Sequence, residues 1–313
     1  MNTYVGLDIS KNKIDACILK GEAVLKEFSF SNNSKGFKDL LKELADKTIS
    51  MVVLEPTGGY EKLISDFLVS QDYQLHRVNT YAFSHFSRSV NLCKNDRNDA
   101  YKLALFAQRM MCKANYCINE LNDTLKSYHQ RREDLVLQLS SEKKRLQQTF
   151  DETMKSLLKN HIDFLQRQTK EIDKLIEDLL KSNQELSDRT EILSSVPGIG
   201  TCIATKLVAF LPELGDDNIK PEQLVALAGL APYSRDSGKK SGKRFIRGGR
   251  KIPRDALYMA VLTGKHKIPF LKNLYDRLSA LKPKKVAMVA AMRNLLIICH
   301  KIIKNNRTFV CKN

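Results

Sequence analysis

The sequence predicts an α/β domain with a mixed sheet at the amino end, a helical middle region and a mostly α-helical carboxyl-terminal region. Three observations predict it. Short apolar runs alternate with helical spacings as far as Arg109, leucines fall at heptad-like intervals from Leu121 to about Leu180, and helical periodicity returns after Glu191. At 313 residues the chain is too long for one ordinary core, and the changes of pattern divide it into residues 1–115, 116–188 and 189–313.

Residues 3–8 read as a short buried strand. The apolar stretches Ile14 to Leu19 and Ala23 to Phe30 follow as two more strands of a meander. Phe37, Leu40, Leu41 and Leu44 then share one face of a helix over Gly36–Ala45. A strand at Ser50–Leu54, a helix from Tyr60 to Ser70, a strand at Leu75–Asn79 and a helix from Asn98 to Arg109 complete the domain. In the middle region Leu121, Leu125, Tyr128, Leu135, Leu139 and Leu146 occupy core positions of a coiled-coil stripe, together with Arg132 and Glu142. After a break expected near Lys159–His161, the spacing resumes from Ile162 to Leu179. Two long helices result, either folded back as a hairpin or paired with a second subunit. A last apolar helix is expected over Lys285–Ile303, with Asn305–Asn313 frayed.

Hydrophobic residues make up 42% and charged residues 28%, which excludes a disordered chain. No apolar run is expected to approach the roughly 20 residues that span a bilayer, and the first eight residues lack the basic and apolar regions of a signal peptide. Seven cysteines (17, 93, 112, 117, 202, 299 and 311) include no Cys-x-x-Cys pair, which argues against a disulfide framework or structural zinc and fits a reducing cytoplasm. Lys and Arg number 52 against 35 acids, a formal charge of +17. Such a surplus favours a polyanion as partner, because each phosphate contact releases counterions.

Four acids stand out. Asp8 and Glu55 each end a predicted buried strand, and ligands of α/β sheets gather at that edge. Asp96 and Asp99 lie three residues apart at the start of a helix, so both project from one face. Together they form an oxygen-rich set suited to Mg²⁺ or Mn²⁺, which can orient a phosphodiester and neutralise its developing charge. Taken singly each is as readily an ordinary surface acid or a helix N-cap.

The densest positive segment runs from Arg235 to Arg254, with nine Lys or Arg, four Gly and one Asp. Arg235, Lys239, Lys240, Lys243, Arg244, Arg247, Arg250 and Lys251 are the candidate phosphate contacts. Ser237, between Asp236 and Gly238, stands at its entrance. A serine attacking phosphorus needs this kind of cationic cradle. Its activator is not evident locally, so the local sequence favours a flexible Ser/Gly-rich loop that only binds backbone phosphates, with Ser234 and Ser241 as plausible as Ser237. Upstream, Ser194-Ser195-Val196-Pro197-Gly198-Ile199-Gly200 reads as a tight turn between helices. It is either a plain turn or a helix-hairpin-helix element presenting N–H groups to phosphate.

Assembled, these segments resemble a DEDD transposase of the insertion-sequence one-hundred-ten family, the bridge-RNA-guided recombinases. Gly6-Leu7-Asp8-Ile9-Ser10-Lys11 resembles the opening of the family's RuvC-like (RNase H fold) domain. Glu55-Pro56-Thr57-Gly58-Gly59-Tyr60 resembles its Glu motif, and Lys94-Asn95-Asp96-Arg97-Asn98-Asp99-Ala100 its paired-Asp motif. Ser195-Val196-Pro197-Gly198-Ile199-Gly200, Ala228-Gly229-Leu230-Ala231-Pro232, Asp236-Ser237-Gly238 and Arg254-Asp255-Ala256-Leu257-Tyr258-Met259 resemble its transposase domain. The resemblance implies that Asp8, Glu55, Asp96 and Asp99 hold Mg²⁺, and that Ser237 is a nucleophile forming a transient phosphoserine link. It also implies double-stranded donor and target DNA, a structured guide RNA and a homodimer or tetramer held by the coiled coil. One subunit's acids would complete a site with another's serine. A metal-only nuclease resembling a junction resolvase would need the acids and no serine. A non-catalytic nucleic-acid-binding protein would need neither.

Overall fold

The computed structural model describes residues 2–90, 96–234, 242 and 244–310, apart from the side chains of 96–98. The chain separates into two compact units, Met1–Asn119 and Glu120–Asn313.

In the first unit, β1 (Thr3–Ile9), β2 (Lys13–Lys20) and β3 (Ala23–Ser31) form the expected antiparallel meander. The chain then returns through α1 (Ser34–Leu44) to place β4 (Ile49–Leu54) parallel to β1, and through α2 (Lys62–Ser70) to place β5 (Leu75–Arg77) parallel to β4. The sheet order is β3-β2-β1-β4-β5, a mixed sheet compatible with the RNase H-like expectation. Two further helices follow, α3 (Thr80–Ser89) and α4 (Asp96–Met110).

Alternation along β1 and β4 gives each face of the sheet its own core. Val5, Leu7 and Ile9 of β1, with Val52 and Leu54 of β4, pack against Phe37, Leu40 and Leu44 of α1 and Ile64 and Leu68 of α2. Tyr4, Met51 and Val53 face the other way, against Phe83 of α3 and Leu103, Ala104 and Ala107 of α4. Gly6 lies on that second face. A Cβ added there would sit 2.0 Å from the Ala100 carbonyl oxygen and 2.6 Å from the Ala104 nitrogen. Only glycine lets α4 lie this close to β1.

The second unit opens with α5 (Glu120–Gln148) and α6 (Glu152–Ser182), which pack against each other across a connection at residues 149–151. The pairs Arg132–Asp173 and Glu142–His161 run in opposite directions along the two helices, so they form an antiparallel hairpin within the chain. The break expected near Lys159–His161 is therefore misplaced. Those residues lie inside α6, which starts where Asp151 caps it by accepting from the Met154 N–H at 2.7 Å.

Beyond the hairpin come α7 (Gln184–Ser194), α8 (Thr201–Phe210), α9 (Pro221–Leu227), a two-stranded ribbon of β6 (Pro232–Tyr233) and β7 (Phe245–Ile246), α10 (Lys251–Gly264), α11 (Pro269–Leu281) and α12 (Lys284–Lys304). Contrary to the composition-based expectation, α12 is long and apolar enough to cross a membrane. Its burial explains why: Ala291, Met292, Leu295, Leu296 and Cys299 are buried, and α7, α9, α10 and α11 pack around the helix. Among the described residues, Cys17, Cys112, Cys117, Cys202 and Cys299 are all free.

Candidate functional site

Sheet register brings the first two acids together. Leu7 of β1 pairs with Leu54 of β4, so the next residue on each parallel strand, Asp8 and Glu55, emerges side by side. Alternation turns both toward the face covered by α4, whose first turn carries Asp99 just ahead of the Ala100 contact with Gly6. Asp8, Glu55 and Asp99 thus line one open cavity of about 450 Å³, together with Thr80, Arg88 and Lys102. Asp96 begins α4 as expected, but its side chain lies outside the described residues.

Burial raises the Glu55 carboxyl above its ordinary value. A hydrogen bond with Thr80 lowers it in part, and the charge of Asp99 raises it further. Lys102 is 3% exposed and donates to Asp99 Oδ1 at 3.0 Å, so a buried ammonium sits among the acids. The donors are all hard oxygens and the acids repel one another electrostatically, which is the chemistry that a divalent cation satisfies. The closure is incomplete: no three His, Cys, Asp or Glu side chains among the described residues converge closely enough to hold a metal ion.

The segment after Glu55 is held by Glu61, itself 4% exposed. Its Oε2 accepts from the Gly59 N–H at 2.8 Å and the Thr57 N–H at 3.1 Å, and Arg77 donates to Oε1 at 2.5 Å. Burial alone would raise the Glu61 carboxyl, but these donors outweigh it and leave it below the usual glutamate value. Arg77 in turn lies over the Tyr116 ring at 5.2 Å. Gly58 and Gly59, both at positive φ, supply the turn.

Sequence reasoning missed four residues here. Thr80 and Arg88 ride on α3, a helix read as the end of a strand followed by a connection. Asn79 is its N-cap, accepting from the Ala82 N–H at 3.1 Å, and that capping residue was the available signal. Lys102 carried no signal beyond its three-residue spacing from Asp99. Asp15 lies directly across β2 from Asp8 and is buried, accepting from Ser29 and paired with Lys13 at 2.8 Å.

Only part of the basic segment lies within the described residues of the second unit. Ser237, Arg235, Lys239, Lys240, Lys243 and the alternative Ser241 lie outside the described residues. Arg244 is exposed, and Arg247 lies over the Tyr233 ring at 4.8 Å. Arg250 has a structural partner: it donates to both Glu213 carboxylate oxygens, at 2.5 and 2.6 Å, and to the Phe210 carbonyl at 3.0 Å. Lys251 is exposed and pairs with Asp255, one turn along α10. Arg250→Ala is therefore expected to destabilise the chain by about 2 kcal/mol in denaturant titration, without changing the salt dependence of DNA binding. Lys251→Ala should do the reverse, lowering that salt slope by about one phosphate's worth at unchanged stability.

The glycines of the 195–200 turn divide their work. Gly198, at φ +92, meets the Ala260 carbonyl and Gly264 of α10, so its lack of a side chain serves helix packing. Gly200, the N-cap of α8, has open space around it and, among the described residues, no side-chain cap hydrogen bond at the helix end. Only that end suits the phosphate-binding role expected for the turn.

Comparison with known proteins adds an independent finding. Residues 5–155 match a family profile described as a transposase, the DEDD transposase profile of the IS110 family, and residues 190–276 match one described as the IS116/IS110/IS902 transposase family. The chain is 28% identical to the pilin gene-inverting protein of Moraxella bovis, over 98% of this chain and 97% of that protein, and equally so to its counterpart in Moraxella lacunata. It is also 31% identical over 130 residues to the insertion element IS900 uncharacterized 42 kDa protein of Mycobacterium paratuberculosis, which covers 40% of this chain.

Proposed function

This chain belongs to the IS110 family of transposases, a family that acts on DNA, and from that premise we propose how its residues carry out recombination. Asp8, Glu55, Asp96 and Asp99 would hold a divalent cation, Mg²⁺ with Mn²⁺ as a substitute. When bound, such an ion neutralises charge on the phosphoryl oxygens of a phosphodiester. Lys102 keeps Asp99 in place, and the Glu61–Arg77 pair fixes the turn that follows Glu55.

The proposed nucleophile is Ser237. Its hydroxyl oxygen bonds to phosphorus as the bridging ester oxygen leaves with a proton, forming a phosphoserine link that a second DNA end later displaces. Lys239, Lys240, Lys243, Arg244 and Arg247 supply the positive surroundings for that charge. Donor and target would be double-stranded DNA, chosen with the help of a structured RNA encoded by the element. The working form would be a homodimer or tetramer.

The observation that carries this reading is the register of β1 and β4, which sets Asp8 and Glu55 side by side on the face that α4 covers with Asp99. Support for the serine comes from its place in the most basic segment of a +17 chain and from the Asp-Ser-Gly motif. The relatives named for pilin gene inversion fit recombination rather than simple nicking.

The test is to incubate the protein with Mg²⁺, double-stranded DNA carrying the element's ends and RNA from its flank, then to map any denaturation-resistant protein–DNA species by mass spectrometry. A nucleotide on Ser237 is the expected result. Modification of Ser234 or Ser241 would move the nucleophile. Cleavage with no covalent species would instead favour the metal-only nuclease.

A further inference from the structure

The ribbon that brackets the Ser237 connection forms one wall of a second cleft. Phe245 and Ile246 of β7, Leu278 of α11, and Val286 and Val289 of α12 give it an apolar lining. Its cations are Arg244, Lys282, Lys285 and Arg293, and no acid is among the lining residues described. The cleft measures about 440 Å³, within the roughly 300–1,000 Å³ usual for ligand pockets.

Arg293 is the most informative of these residues. One terminal nitrogen donates to the Leu230 carbonyl at 2.8 Å, while its Nε is buried with no acceptor. Burial holds the guanidinium below its usual value, and no carboxylate among the described residues opposes it. A half-buried cation with an idle donor, beside two exposed lysines on an apolar floor, is suited to an anion. Inorganic phosphate would satisfy the charges and leave the floor bare. A nucleotide uses both, its base on Phe245 and the aliphatic wall, its phosphate on the cations.

We infer that this cleft is a subsite for one unpaired nucleotide of the DNA strand that reaches the Ser237 segment. The inference rests on the proposed reading that DNA is delivered there. Chain connectivity supports the placement, because the segment bearing Ser237 leaves from β6 and returns through Arg244 into β7. The cleft's α11 and α12 wall, from Leu278 to Arg293, lies beyond residue 276, where the family profile match ends.

The test compares two labelled DNA duplexes, identical except that one carries a single unpaired 2-aminopurine nucleotide, by fluorescence anisotropy with the full-length protein at fixed ionic strength. The bulged duplex is expected to bind about tenfold more tightly, with 2-aminopurine emission quenched by stacking. Val286 is exposed, so Val286→Glu places a carboxylate beside the cations without touching the core. That variant should bring the affinity ratio to about one while shifting the paired duplex by less than about twofold. Equal binding of both duplexes by the unaltered protein overturns the subsite and leaves the recombinase reading standing. A preference seen only with an unpaired ribonucleotide overturns the assignment to DNA. Failure to bind either duplex overturns both the subsite and the function it rests on.

Discussion

Asp8→Asn is expected to lower DNA cleavage about a hundred- to a thousandfold while leaving the fold intact. Asn keeps the shape of the side chain, so β1 and its register with β4 are undisturbed. What disappears is one negative charge beside Glu55, and with it one oxygen suited to a hard cation. The Asn amide is nearly isosteric and can still hydrogen-bond at this position, so the melting temperature should change little. Cleavage of element-end DNA against Mg²⁺ concentration, alongside a thermal melt, gives both readouts. Full activity in Asp8→Asn would remove the carboxylate site from the mechanism.

Gly6→Ala is expected to cost about 3 kcal/mol of stability, because one methyl group cannot fit between β1 and α4. The contacts are with backbone atoms, the Ala100 carbonyl and the Ala104 nitrogen, which have no rotamer to change. The helix must therefore move as a body, and Asp99 moves with it. The variant should lose activity even at temperatures where it remains folded, since Asp99 would be displaced from Asp8 and Glu55. Denaturant titration and cleavage assays on the same preparation separate the two effects. A Gly6→Ala protein of unchanged stability would contradict the packing described.

Much of the first unit was legible because period-two and period-3.6 patterns differ clearly over β1 to α2. Strand ends bearing acids are also visible without a structure. Other features left no such trace. The α3 helix is short and carries aromatic and serine residues that favour neither state strongly, so its cap at Asn79 passed for the end of a strand. Heptad spacing showed that α5 and α6 would be long. It did not show where the chain reverses, because Lys159–His161 interrupts only the apolar stripe and not the helix. Arg250 looked like its basic neighbours, and only its pairing with Glu213 distinguishes it. The acids were legible as candidates, but the ammonium placed among them depends on tertiary packing that local sequence does not encode.

That ammonium has a consequence for how the protein is handled. Because Lys102 already offsets part of the negative charge of Asp99, folding of the first unit is expected to be independent of a divalent cation. A chelated preparation should stay in solution as a folded, inert reagent, ready to be started by adding the ion. The cation would then act as a timing signal rather than a scaffold.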